Sequence, residues 1–153
     1  MCSSSNNDEA LTRDPAVERL AGECSCGAVA YSVANEFRYA LNCHCSQCRK
    51  ATGSAFKPFA GIELHKLQIV RGSDALLRVG EEGAHDIRCG RCGSLLFSVV
   101  RNNLFAHVTL GTLVDTPAIR PTAHIFVDSK AAWYEITDSL PQFHGFAESR
   151  RGG

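Results

Sequence analysis

Seven of the chain's eight cysteines fall into three tight groups, Cys24-x-Cys26, Cys43-x-Cys45-x-x-Cys48 and Cys89-x-x-Cys92, with Cys2 standing alone. No other feature restricts the fold so strongly, because whatever binds these sulfurs must draw separate stretches of chain together. Two cysteines at i and i+2 on an extended segment point to the same face, which suits adjacent positions on a metal and would strain a disulfide. The N-terminal stretch has no basic region followed by an apolar run, so no secretory signal favours a disulfide framework.

The groups divide naturally between two tetrahedral sites. The segment CGRCG at 89–93 has the form of a zinc knuckle, in which glycines let backbone amides turn toward thiolates. It needs a second pair, and Cys24-x-Cys26 in GECSCGAV supplies one. Four thiolates make a closed structural zinc site, with Zn–S distances of about 2.3 Å and no room for substrate. Cys43, Cys45 and Cys48 are then left to hold a second zinc with one position open, the pattern of catalytic zinc. Two alternatives stay open for this triple. It can be completed by Cys2 or by His44, or it can be three reduced thiols without function. A thioredoxin-like redox role lacks the βαβ context it needs.

At 153 residues the chain is the size of one domain, able to bury a core without disulfides. Lysine plus arginine and aspartate plus glutamate each number 16, so no global field draws the chain to nucleic acid or an anionic membrane. No apolar run approaches the roughly 20 residues of a membrane span. The expectation is a cytoplasmic protein with neither a nucleic-acid nor a membrane partner. A homodimer is compatible with the sequence but not argued by it.

Residues 1–21 are polar and are expected to form a flexible arm, 22–146 the zinc-binding domain, and 147–153 a disordered tail. From Gly22 onward, β-branched and aromatic runs alternate with turn residues at 28–34, 37–43, 66–72, 75–80, 94–100, 104–110 and 124–127. The reading is mostly β, with small sheets organised around metal. SQCRKATGS is expected to form one or two helical turns ending at Gly53, and 111–124, with two prolines, to be irregular.

Three thiolates give a zinc centre net negative charge and make it a poor Lewis acid for hydrolysis. Such a soft site should instead accept a thiol, favour its thiolate and present it as a nucleophile. If that thiol belongs to glutathione, Arg49 and Lys50 either meet its carboxylates or simply balance the metal centre. His107 and His124 lie in apolar runs, where a core or edge histidine is more common than a proton shuttle. His65, His85 and His144 read as surface residues.

Four motifs together resemble one family. They are G-x-C-x-C-G-A-V at 22–29, N-C-H-C-S-x-C-R-K-x-x-G at 42–53, C-x-x-C-G-S at 89–94 and R-P-T-A-H-I-F-V-D-S-K-A-x-W at 120–133. The chain from about Gly22 to about Phe143 is similar to the glutathione-dependent formaldehyde-activating enzymes, whose domain also occurs in centromere protein V. The resemblance implies a compact β fold of several small coiled antiparallel sheets and two zinc ions per chain. In it Cys24, Cys26, Cys89 and Cys92 match the structural ligands, and Cys43, Cys45 and Cys48 the catalytic ones. It also implies a carbon–sulfur lyase that adds formaldehyde to glutathione, giving S-hydroxymethylglutathione. In the last motif, Trp133 and Phe126 are expected to pack a sheet while Asp128 and Lys130 form a surface pair. Two other functions compete: a non-enzymatic zinc module for a protein partner, and a thiol sensor that releases zinc on oxidation.

Overall fold

The computed structural model describes residues 17–147. Strand β1 (Arg19–Glu23) alternates buried and exposed positions and pairs antiparallel with β2 (Ala30–Ala34). Residues 19–21, expected to lie in the arm, are therefore the start of β1. Leu20, inside the core at 1% exposure, pins them there. Residues 1–16 and 148–153, where the remainder of the arm and most of the tail were expected, lie outside the described residues.

Chain order continues with β3 (Tyr39–Cys43), the helix α1 (Ser46–Thr52), β4 (Lys57–Glu63) and β5 (Leu67–Arg71). It ends with β6 (Leu76–Glu81), β7 (Ala84–Cys89), β8 (Leu95–Val100), β9 (Phe105–Thr109) and the short β10 (His124–Ile125). These strands form two sheets, one in the order β1-β2-β5 and one in the order β10-β3-β4-β9-β8-β7-β6. All pairs are antiparallel except β10 with β3.

Three of these strands are absent from the expected runs. β1 fell in the presumed arm. β4 opens on Lys57-Pro58, which reads as a turn, but its pairing with β9 begins only at Phe59. Pro58 thus lies past the end of that partner, where its missing N–H breaks no ladder. β7, AHDIRC, carries no apolar alternation, and most of its positions are only half-buried.

The small sheet covers one face of the large one. Leu20, Tyr31, Val33 and Leu67 pack against Ile62, Phe97, Val99, Ala106 and Val108, with the Tyr31 and Phe97 rings edge to face at 6.1 Å. Because side chains alternate across a strand, Tyr39, Leu41 and Cys43 point to the opposite face of the large sheet. There they meet Lys57 and Phe59, the register neighbours of Cys43 and Leu41. A second apolar cluster of Leu41, Cys43, Phe59, Ala123 and Ile125 forms on this side. Partly buried Phe126 and Phe143 cover it. Gly61 lets the Tyr39 ring lie flat on the sheet, since a Cβ there would meet the ring at 2.3 Å.

After β9 a single 3-10 turn at Leu110–Thr112 leads into a stretch that is irregular, as its prolines suggested, until β10. That strand stops at Ile125 because Phe126 adopts a left-handed φ of 57°. Two expectations for this segment fail. Trp133 is 73% exposed and packs no sheet. Asp128 pairs with His144 at 2.7 Å, while the Lys130 ammonium is taken up by the carbonyls of Ala131 and Tyr134.

Candidate metal centres

Cys24 and Cys26 stand in the turn between β1 and β2, and Cys89 and Cys92 at the turn between β7 and β8. Their four sulfurs lie within 4.8 Å of one another. A tetrahedral zinc with bonds of about 2.3 Å separates its sulfurs by about 3.8 Å. The Cys24–Cys26 and Cys26–Cys89 separations are 3.7 and 3.8 Å. Disulfide sulfurs would be about 2.05 Å apart, so the spacing suits a metal and not a bridge. Backbone N–H groups point inward as a thiolate site requires, from Val29 to Cys24 Sγ at 3.2 Å and from Arg91 and Cys92 to Cys89 Sγ at 3.3 and 3.4 Å. The hydroxyl and backbone N–H of Ser94 hold Cys92 at about 5, as favours a ligand that must be ionised. Since the two pairs come from different sheets, a metal here fastens the small sheet to the large one.

Cys43, Cys45 and Cys48 form the second cluster, again with all sulfurs within 4.8 Å. Cys43 ends β3. Cys45 is the N-cap of α1, accepting the Cys48 N–H at 3.3 Å, and Cys48 sits in the first turn. Gly53, in the left-handed conformation, closes the helix by donating its N–H to Arg49 O. The first turn of the helix thus returns Cys48 toward Cys43. Its neighbour Cys43 and its burial push the Cys48 thiol far above the usual range. Three sulfurs so close do not all ionise on their own, so a divalent cation is the natural charge to release their protons.

Lys57, opposite Cys43 on β4, is 5% exposed and was not singled out in the sequence. Its Nζ donates to Ser98 Oγ at 2.8 Å, and that hydroxyl donates to Asp86 Oδ1 at 2.6 Å. Burial pulls its pKa down, while the charges of the three cysteines and Asp86 push it back up. Arg88 links the two centres, donating to Gly93 O at 2.9 Å beside the first and to Ala51 O at 2.6 Å in α1.

His44 does not join the three cysteines. It lies on the other face of β3, with its Nε2 2.8 Å from His124 Nδ1. His124 Nε2 in turn meets the Asp138 carboxylate at 3.0 Å. His44, His124 and the Asp138 carboxylate thus form one hydrogen-bonded chain. Burial and His124 lower His44 to about 4. His107 is held at about 3 by burial and by Lys57, and its Nε2 meets the Tyr39 hydroxyl at 2.7 Å. Both expected core histidines are therefore interior, with His65 and His144 exposed and His85 half-exposed. Arg49 is half-buried and donates from Nε to Ser129 O at 3.1 Å, whereas Lys50 is exposed. Cys2 lies outside the described residues.

The fold is a β domain with two convergent cysteine clusters, one of four sulfurs and one of three, each of which could hold a metal ion. The sequence model of the family described as glutathione-dependent formaldehyde-activating enzyme matches residues 19–129, and the chain belongs to that family. A solved crystal structure of a Rhodobacter sphaeroides protein is similar, at 29% identity and a TM-score of 0.53, covering 65% of this chain and 92% of that one. No curated protein matches the chain. No helix among the described residues is long and apolar enough to cross a membrane.

Proposed function

We propose that this chain is a zinc-dependent carbon–sulfur lyase acting on the adduct of a small thiol with an aldehyde, in the manner of an S-hydroxymethylglutathione synthase. The reading rests on one observation. Three cysteine sulfurs converge beside a buried lysine, and among the described residues no fourth ligand atom joins them. A closed structural site shows four such atoms, as the other cluster does.

Cys24, Cys26, Cys89 and Cys92 would hold the structural zinc, and Cys43, Cys45 and Cys48 the reactive one. Bound there, zinc would supply the means to keep a substrate thiol ionised at neutral pH. The chain's own residues do the rest. Lys57 places a positive charge against a centre that three thiolates make negative, and its Ser98–Asp86 partners hold its ammonium in place. Phe59, Ile125 and Phe143 shield the cysteines with apolar surface, which strengthens that charge interaction. Arg49 and Lys50, on the helix that carries Cys48, are the contacts proposed for the glutathione carboxylates.

The test is consumption of formaldehyde by the zinc-loaded protein with and without glutathione. The reading predicts thiol-dependent turnover that disappears in Cys45→Ser while the fold persists. Turnover that survives in Cys45→Ser would remove the three-cysteine centre from the reaction.

A further inference from the structure

A cleft of about 940 Å³ opens on the same sheet face as the three cysteines. Its walls are apolar, formed by Tyr39, Leu41 and Phe59 from the sheet and by Ile125, Phe143 and Phe146 from the covering segment. Four of these, Leu41, Phe59, Ile125 and Phe143, belong to the cluster that packs on Cys43, Cys45 and Cys48. That shared cluster joins the inner end of the cleft to the thiols, although no cysteine lines the cleft itself.

The outer end carries two arginines of different standing. Arg38 is committed, donating from Nε and Nη2 to Glu63 at 3.0 and 2.6 Å. The Arg101 guanidinium has no hydrogen bond or ion pair among the described residues. It rests over the rings of Phe105, at 4.7 Å, and Tyr39, at 5.8 Å. A turn with left-handed φ at Arg101, Asn102 and Asn103 presents it there. Among the described residues no aspartate or glutamate lines the cleft. Tyr39 and Cys43 stand four residues apart on β3, a span of roughly 13 Å at about 3.3 Å per residue, and the cation lies over the Tyr39 ring at one end of it.

We propose that this cleft binds the organic group carried on the thiol adduct, and that the group is an apolar chain or ring ending in a carboxylate that Arg101 receives. Glutathione alone fits the cleft poorly, because its ammonium would find no acid there and its amides few partners. The hydroxymethyl group from formaldehyde would leave the cleft empty. The substrate class that fills it is an oxo acid, an aldehyde at one end and a carboxylate at the other of an apolar body. A thiol sulfur adds to the aldehyde carbon, and the carbonyl oxygen becomes a hydroxyl with the proton the thiol gives up. Nothing is oxidised, and the reverse step releases both partners. The sulfur end of this placement rests on the thiol-adduct reading, but the carboxylate end stands without it.

Phenylbutyrate and its neutral amide, phenylbutyramide, separate the two by calorimetric titration into the metal-loaded chain. The acid should bind about tenfold more tightly than the amide, and Arg101→Gln should bring the acid down to the amide's level. Equal affinities for acid and amide in the unaltered chain, or no binding of either, would overturn the proposal without any variant. Turnover supplies the separating arm, with azelaic semialdehyde and glutathione as substrates. Phenylbutyrate binding without thiol-dependent turnover of any aldehyde keeps the cleft's ligand class and refutes the reaction. Formaldehyde turnover without phenylbutyrate binding keeps the reaction and refutes the cleft's ligand class.

Discussion

Replacing Lys57 with methionine removes one buried charge while keeping an unbranched side chain of similar length. Lys57 and Cys43 face each other across β3 and β4, and directly opposed side chains begin about 5 Å apart. Zinc held by three thiolates carries one net negative charge. The ammonium, however, reaches toward Ser98 on β8, away from β3, so the two charges stand nearer to about 10 Å apart, and at an effective dielectric near 20 they attract by about 1.7 kcal/mol. The lysine is 5% exposed, so little of this is lost to solvent screening. Lys57→Met should then weaken metal binding at the three-cysteine centre by about tenfold and leave the four-cysteine centre unchanged. A competition titration against a chromophoric chelator resolves the two affinities. The metal-free variant should be no less stable than the parent, since a buried charge is costly to keep and Ser98 still donates to Asp86. A change of less than threefold at the three-cysteine centre would refute the charge argument.

Other outcomes follow from single contacts. Gly61→Ala puts a Cβ at 2.3 Å from the Tyr39 ring, and should destabilise by about 1–3 kcal/mol in denaturant unfolding while breaking the Tyr39–His107 bond. Tyr31→Phe removes a 2.7 Å bond between the buried Tyr31 hydroxyl and Thr112, and should cost about 1 kcal/mol by the same measurement. His107, held at about 3 against an ordinary 6.5, refuses a proton that the unfolded chain accepts. Its contribution is therefore intact above pH 6.5 and is lost as pH falls from there toward 3, with a slope of up to about 1.4 kcal/mol per pH unit. His107→Gln should flatten that part of the stability curve.

The sequence exposed the cysteine clusters more fully than the sheets. Cysteine spacing alone paired Cys24-x-Cys26 with Cys89-x-x-Cys92, because both pairs come with the glycine turns that a four-sulfur site demands. The strands rich in β-branched and aromatic residues, such as β8 with LLFSVV, declare themselves. β4 and β7 do not. The proline at the start of β4 and the polar side chains of β7 carry the signals of loops, and only their neighbours in the large sheet make them strands. Lys57 was hidden for the same reason. A lysine before a proline reads as a surface turn, and its burial depends on Ser98 and Asp86, two strands away in the sheet. The Arg101 cleft is a product of tertiary packing, joining β3, β4 and the β8–β9 turn to residues near 143. The misplaced Trp133 shows the converse error, in which a large aromatic was assigned to the interior on its type alone.

The central claim is that the four-cysteine cluster is structural and the three-cysteine cluster reactive. Metal content of the unaltered chain, Cys45→Ser and Cys89→Ser, read alongside circular dichroism, tests it most directly. The account predicts two zinc ions in the unaltered chain. Cys45→Ser should keep one zinc and the fold, and Cys89→Ser should lose the fold. A Cys45→Ser protein that unfolds as fully as Cys89→Ser would contradict the account and make both centres structural.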